Sequence, residues 1–189
     1  SWIRSQQGPL YMIGGTWRAL AHYAMVEADY PLTDPHGFSL SVSETRDHAR
    51  QLIDAQPDKL VKISGISQMR AEYLPDAAAM LLPLLDVIEP DRLIFSSWGI
   101  REGLLYSRLS DLQRALDPLL AGVHAFAEPR DAPVVDAARV VGWTVDLANG
   151  KGKRNERLRL ASAQLAAALQ RVEPNLRVNH ATEWSLDKR

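Results

Sequence analysis

Apolar positions gather in two strand-like runs, and each hands over to a helix-like pattern through glycine. The first run is Leu10-Tyr11-Met12-Ile13, followed by Gly14-Gly15-Thr16 and then by Trp17, Leu20, Ala21 and Ala24. Those last four fall at i, i+3, i+4 and i+7, which predicts a helix from Trp17 to about Ala28. The second run, Arg92-Leu93-Ile94-Phe95-Ser96-Ser97-Trp98, has the character of a buried strand, and Gly99-Ile100-Arg101-Glu102-Gly103 turns out of it into another helix start. Between the two, Asp29 to Gly37 holds two prolines and a glycine and is expected to be a loop. Gly37 to Val42 alternates apolar and small polar residues, as an edge strand or an extended lead-in does. Ser41 and Glu44 stand at capping-box spacing, ahead of a helical face with Ala49, Leu52 and Ile53. Pro57 is expected to break that helix, with a short helix over 58–63. Past the segment 64–76, Ala77, Met80, Leu81, Leu84, Leu85 and Ile88 predict an amphipathic helix, kinked at Pro83 and closed by Glu89-Pro90-Asp91.

Beyond about Arg108 no run reads as a strand. Helices are expected over 109–120, 133–147 and 157–172, the last with a stripe of Leu158, Ala161, Leu165, Ala168, Leu169 and Val172. Strand–helix alternation followed by helices alone predicts an α/β part and then an all-α part, with both glycine turns at one edge of the sheet. Asn149-Gly150-Lys151-Gly152-Lys153-Arg154 is a basic glycine loop, for which a solvated linker is favoured over a polyanion contact. Trp184 has no evident core partner, and the first strand begins only at about residue ten. Both features lead to the expectation that the chain is a piece of a longer protein.

Composition narrows the classes. The 189 residues are 46% apolar and 24% charged with a net charge of −1, so no strong field favours nucleic acid or a membrane surface. The chain has no cysteine, which excludes disulfides and thiolate metal sites and fits a reducing compartment. No apolar run reaches the roughly 20 residues that span a bilayer.

Candidate chemistry concentrates at the glycine turns. At a strand-to-helix turn the first helical N–H groups are unpaired and, with the helix dipole, form a ready site for an anion. Thr16 is placed to cap the helix and to offer its hydroxyl to the same anion. A plain structural connection fits the Gly-Gly-Thr turn as well. Arg18 and Arg101 lie on the first turns after the two glycine stretches, and Arg70 precedes the third long helix. Guanidinium groups match phosphate oxygens, while ion pairs with neighbouring carboxylates are the simpler expectation. Glu72 and Glu102 are candidates to hold these arginines. The histidines at 22, 36, 48, 124 and 180 show no metal-ligand spacing. His36, beside Pro35 and Gly37, is the one placed for a pocket rim. There is no Walker A pattern, no Rossmann fingerprint and no nucleophile elbow, the last failing at Met69.

Four blocks occur in order: Ile13-Gly14-Gly15-Thr16-Trp17-Arg18-Ala19-Leu20-Ala21; Tyr30-Pro31-Leu32 with His36-Gly37; Ile66-Ser67-Gln68-Met69-Arg70-Ala71-Glu72-Tyr73-Leu74-Pro75; and Ser96-Ser97-Trp98-Gly99-Ile100-Arg101-Glu102-Gly103-Leu104-Leu105-Tyr106. Together they resemble the exopolyphosphatase/guanosine pentaphosphate phosphatase (Ppx/GppA) family in its alphaproteobacterial form, over about residues 8–120. The resemblance implies half of an actin-like ATPase (ribonuclease-H-like) fold: part of the second domain over 1–107, then part of a helical C-terminal region over 108–189. It implies that Gly14, Gly15, Thr16, Arg18, Arg70, Ser97, Gly99 and Arg101 face a phosphate chain. The family's catalytic glutamate, metal-binding acid and glycine-rich phosphate loops belong to parts outside this stretch, so neither a catalytic residue nor a metal ligand is expected within it. For the whole protein the resemblance implies a Mg²⁺-dependent, cytoplasmic hydrolase. It would remove terminal phosphate from polyphosphate or from guanosine pentaphosphate, with polyphosphate or guanosine penta- or tetraphosphate as its partners and no nucleic acid or membrane partner. The chain alone is then expected to be inactive. The alternative is a non-catalytic phosphate-binding or homodimerising module. A sugar or acetate kinase of the same superfamily is disfavoured by Arg101-Glu102-Gly103.

Overall fold

The computed structural model describes residues 8–147 and 152–187. The chain separates into two compact units, Ser1–Ser107 and Arg108–Arg189.

In the first unit, strand β1 (Leu10–Ile13) leads into helix α1 (Gly15–Glu27). Strand β2 (Ser39–Ser41) leads into α2 (Val42–Ile53), and α3 (Pro57–Leu60) precedes the long α4 (Gln68–Ile88). Strand β3 (Arg92–Ser96) then leads into α5 (Ile100–Ser107). The sheet order is β1-β3-β2. β1 and β3 are parallel, with Ile13 opposite Ser96, and β2 lies antiparallel at the edge. One consequence governs the site: both parallel strands end at the same edge, so the two glycine turns leave the sheet side by side.

The core explains the long helix. Helix α4 packs against α1 and α2, and its buried line is Ala71, Leu74, Ala78, Leu81 and Leu85. Facing it, α1 buries Ala19, Leu20, Ala21 and Ala24 at no more than 1% exposure, so small side chains let the backbones approach. This corrects the predicted stripe, in which Met80 is 61% exposed. It also corrects the start of the helix, which begins at Gln68 with Pro75 inside it. Inside a helix proline loses its N–H, here the partner of the Ala71 carbonyl, and its ring crowds that carbonyl; the helix nonetheless runs through Pro75 and Pro83, with Ala71, Leu74 and Ala78 buried on its packed face. Helix α4 ends at Glu89 in the left-handed conformation, φ 52.

The Ser41–Glu44 capping box forms: Glu44 N–H donates to Ser41 Oγ at 3.2 Å and Ser41 N–H donates to Glu44 Oε2 at 2.8 Å. The Ser41 side chain first, and its backbone N–H second, hold the Glu44 carboxyl below its ordinary pKa. A carboxyl depressed in the folded state stabilises fully above its unfolded value of about 4.3, and that contribution is lost as pH falls through the folded value. Ser41→Ala is therefore expected to cost about 1 kcal/mol near neutrality, with a smaller difference in acid. Urea unfolding of both proteins at about pH 7 and about pH 3.5 checks it.

The second unit is helical, with α6 (Asp111–Arg114), α7 (Pro118–Ala127), α8 (Val134–Trp143), α9 (Lys153–Ala168) and α10 (Arg177–Asp187). The single helix predicted over 109–120 is two. Pro118 occupies a first-turn position and Asp117 caps it, accepting from Leu119 and Leu120 N–H, so the proline opens a helix. Of the predicted stripe on α9, Ala161, Ala168 and Leu169 are buried while Leu158 is 46% exposed. Buried Gln164 meets His124 Nδ1 and the Ala132 carbonyl. Trp184 does have a partner, the Phe126 ring at 4.4 Å, beneath which Arg130 stacks at 3.8 Å. Part of the basic loop 149–154 lies outside the described residues, and nothing is assigned to it. Among the described residues no helix is long and apolar enough to cross a membrane.

Candidate phosphate-binding site

At the carboxyl edge of β1 and β3 the chain forms a pocket of about 350 Å³. Ile13, Gly14 and Arg18 line it from the first turn; Ser97, Trp98, Gly99, Ile100, Arg101 and Glu102 line it from the second. The sequence-predicted residues Gly14, Arg18, Ser97, Gly99 and Arg101 thus share one cavity. Gly15, Thr16 and Arg70 form a cluster of their own beside Gly14.

The first turn is open. Gly14 is the N-cap of α1 at φ 124, a conformation that favours glycine. No side chain caps this helix, and its first turn holds no acidic residue. The N–H groups of Gly15, Thr16 and Trp17 therefore have no partner within the helix. The expected Thr16 cap does not form, because Thr16 lies inside the helix. Its hydroxyl oxygen instead accepts from Arg70 Nη1 at 3.0 Å. The Arg70 guanidinium lies flat against Gly15, so close that a Cβ there would sit 2.7 Å from its Cζ. Glu72, expected to hold an arginine, accepts from Gln68 Nε2 at 3.0 Å instead.

The second turn is closed. Gly103 N–H donates to the Gly99 carbonyl at 3.0 Å, which places Gly99 at the cap of α5. The Gly99 N–H donates to Glu102 Oε2 at 2.7 Å. That hydrogen bond, foremost, holds the Glu102 carboxyl below its ordinary pKa, helped by its own backbone N–H and by the charges of Arg101 and Arg18. Among the described residues, neither Arg18 nor Arg101 is in an ion pair. The expected carboxylate partners are not engaged by these exposed arginines.

A loop clamps the end of β3. The Ser97 hydroxyl donates to Asp34 Oδ1, and the Ser97 N–H donates to His36 Nδ1 at 3.3 Å. The His36 ring stacks on Trp98 with centroids 4.8 Å apart. Both polar hydrogens of Ser97 are thereby used within the protein. Neither Asp34 nor Trp98 stands out in the sequence as a site residue; Glu102 does, as a candidate to hold an arginine, and its spacing of three from Gly99 signals the contact it makes instead. Among the described residues no group of three or more His, Asp or Glu is gathered to hold a metal ion.

Two strand-to-helix turns of one α/β unit, with Arg18 and Arg101 in no ion pair among the described residues, therefore border one pocket. The model of the Ppx/GppA phosphatase family matches residues 5–112, and the chain belongs to that family. It is also similar to Retrograde regulation protein 2 of Saccharomyces cerevisiae, 30% identical over 125 residues. That alignment covers 62% of this chain and 21% of the relative, so the chain spans about a fifth of that curated protein's length.

Proposed function

We propose that the chain carries one wall of the phosphate cleft of a phosphoanhydride hydrolase with the actin-like fold, acting on the terminal phosphate of polyphosphate or guanosine pentaphosphate. The reading is carried by one observation: β1 and β3 run parallel and deliver Gly14, Arg18, Gly99 and Arg101 to a single pocket. Family membership supports it. In this reading the α1 N–H groups bind phosphate oxygens, and Arg70 braces the turn that carries them. Arg18 and Arg101 spread the negative charge that builds during in-line attack of water. No group of this chain is assigned as the base. The Mg²⁺ that the family implies does not fit the described residues, which offer no cluster of donors, and nothing in the reaction is assigned to it here.

The test joins binding to turnover. The chain is expected to bind tripolyphosphate with an affinity that falls as salt rises, and to release no phosphate from polyphosphate or guanosine pentaphosphate in the presence of Mg²⁺. Arg18→Ala and Arg101→Ala are each expected to weaken binding about tenfold, the scale of one charge-assisted contact. Isothermal titration calorimetry measures both. Absence of salt-dependent binding contradicts the cleft, and rapid turnover contradicts the assignment of the base to another part of the protein. A second reading, a phosphate-binding regulatory module without catalysis, draws support from the name of the yeast relative, Retrograde regulation protein 2. It predicts the same binding, with no turnover under any condition.

A further inference from the structure

We propose that Glu102 is a built-in competitor for the anion: its carboxylate holds the Gly99 N–H in the free protein and must leave that donor when a phosphate oxygen takes it. The proposal rests on the phosphate reading of the pocket and concerns the regulation of that same site.

Four observations carry it. The helix caps of this chain differ in how they are closed. Helices α2 and α6 carry complete capping boxes, with Ser41 and Ser110 at the cap. Helix α5 has glycine at the cap, so its N–H is closed by a carboxylate alone, at 2.7 Å. A carboxylate oxygen has the charge and hydrogen-bonding habit of a phosphate oxygen. Second, Glu102 lines the pocket together with Arg18 and Arg101, and both arginines act electrostatically on it. Third, those arginines have no ion pair among the described residues, so the cluster carries two positive charges against one negative charge. Fourth, the neighbouring α1 turn has neither side-chain cap nor acid, so its first N–H groups have no partner within the helix and no carboxylate to displace.

Mutual exclusion follows. Sharing the Gly99 N–H would bring a phosphate oxygen and the Glu102 carboxylate to contact distance, where like charges repel. Every anion meets the same threshold at Gly99. A lone phosphate meets it with few contacts; a linked chain meets it with the α1 turn and both arginines engaged. The competitor thus keeps the pocket available to linked phosphates in the presence of single ones.

Two variants separate competition from bulk charge. Glu102→Gln keeps an oxygen to accept from Gly99, which preserves the α5 cap, and removes the charge. Glu102→Asp keeps the charge and is one methylene too short to sit on Gly99 in the same way. Tripolyphosphate is expected to bind Glu102→Gln about tenfold tighter than the parent, and Glu102→Asp about threefold tighter. In the parent, the Gly99 amide signal is expected to move on titration as its acceptor changes. Equal or weaker binding by Glu102→Gln, with the parent still binding, overturns the competitor and leaves the cleft standing. Tightening in Glu102→Gln without any in Glu102→Asp, and with a stationary Gly99 amide, overturns it in favour of plain charge removal. If neither the parent nor Glu102→Gln binds, the phosphate reading itself fails, and the competitor falls with it.

Discussion

Gly15→Ala is expected to weaken tripolyphosphate binding about tenfold, equivalent to about 1.4 kcal/mol, while the melting temperature stays within about 2 °C of the parent. The reasoning is local. A Cβ at position 15 would lie 2.7 Å from Arg70 Cζ, Nε and Nη2. The obstacle is the far end of a flexible side chain, so the guanidinium moves and the backbone does not. Gly15 lies within α1 and has no positive φ, so alanine suits its conformation and its helix propensity is better. What is lost is the brace of Arg70 on Thr16. Arg70→Ala is expected to lower affinity to the same degree, and the double variant to be no worse than either single one, because both changes remove one arrangement. Calorimetry on the four proteins checks the cycle. A fall in stability with unchanged binding, or additive losses in the double variant, contradicts the brace.

Gly65→Ala is expected to act in the opposite way and destabilise the first unit by about 3 kcal/mol. Two causes add. Gly65 has φ +89, a region that costs a non-glycine residue about 1 kcal/mol. A Cβ there would also lie 2.5 Å from His22 Nε2, and overpacking of this kind costs about 1–3 kcal/mol. The His22 ring is half-buried, and burial first of all holds its pKa below the ordinary value. Gly65→Ala/His22→Ala is expected to regain the packing part relative to Gly65→Ala and to retain the φ part. Urea unfolding followed at the amides of β1 and β3 measures it. A Gly65→Ala protein as stable as the parent contradicts the close packing of α1 on this turn.

Local signals were legible and long-range pairings were not. The handover from strand to helix at Gly14-Gly15, the extended stretch before Ser41 and the Ser41 box depend on residues within four positions of one another, and each formed, although the Thr16 cap did not. The start of α4 was hidden because Pro75 reads as a stop when the alanines that bury around it are unknown. Its core line runs through Ala71 and Ala78, which carry little hydrophobic signal but allow α1 to come close. A helix read across Pro118 overlooks Asp117 before it, which marks a cap. At the site, the pairing of Arg70 with Thr16 spans 54 positions, and the clamp of Asp34 on Ser97 spans 63. Periodicity carries no information at that range. Four ordered motif blocks, in contrast, pointed to the family that the family model matches over residues 5–112.

The measurement that bears most directly on the cleft is a titration of isotope-labelled protein with tripolyphosphate, followed by amide chemical shifts. The account predicts that the amides of residues 14–17 and 97–102 shift together, with one shared saturation curve, since both turns border one pocket. Shifts confined to the second unit, or to one turn without the other, would contradict it.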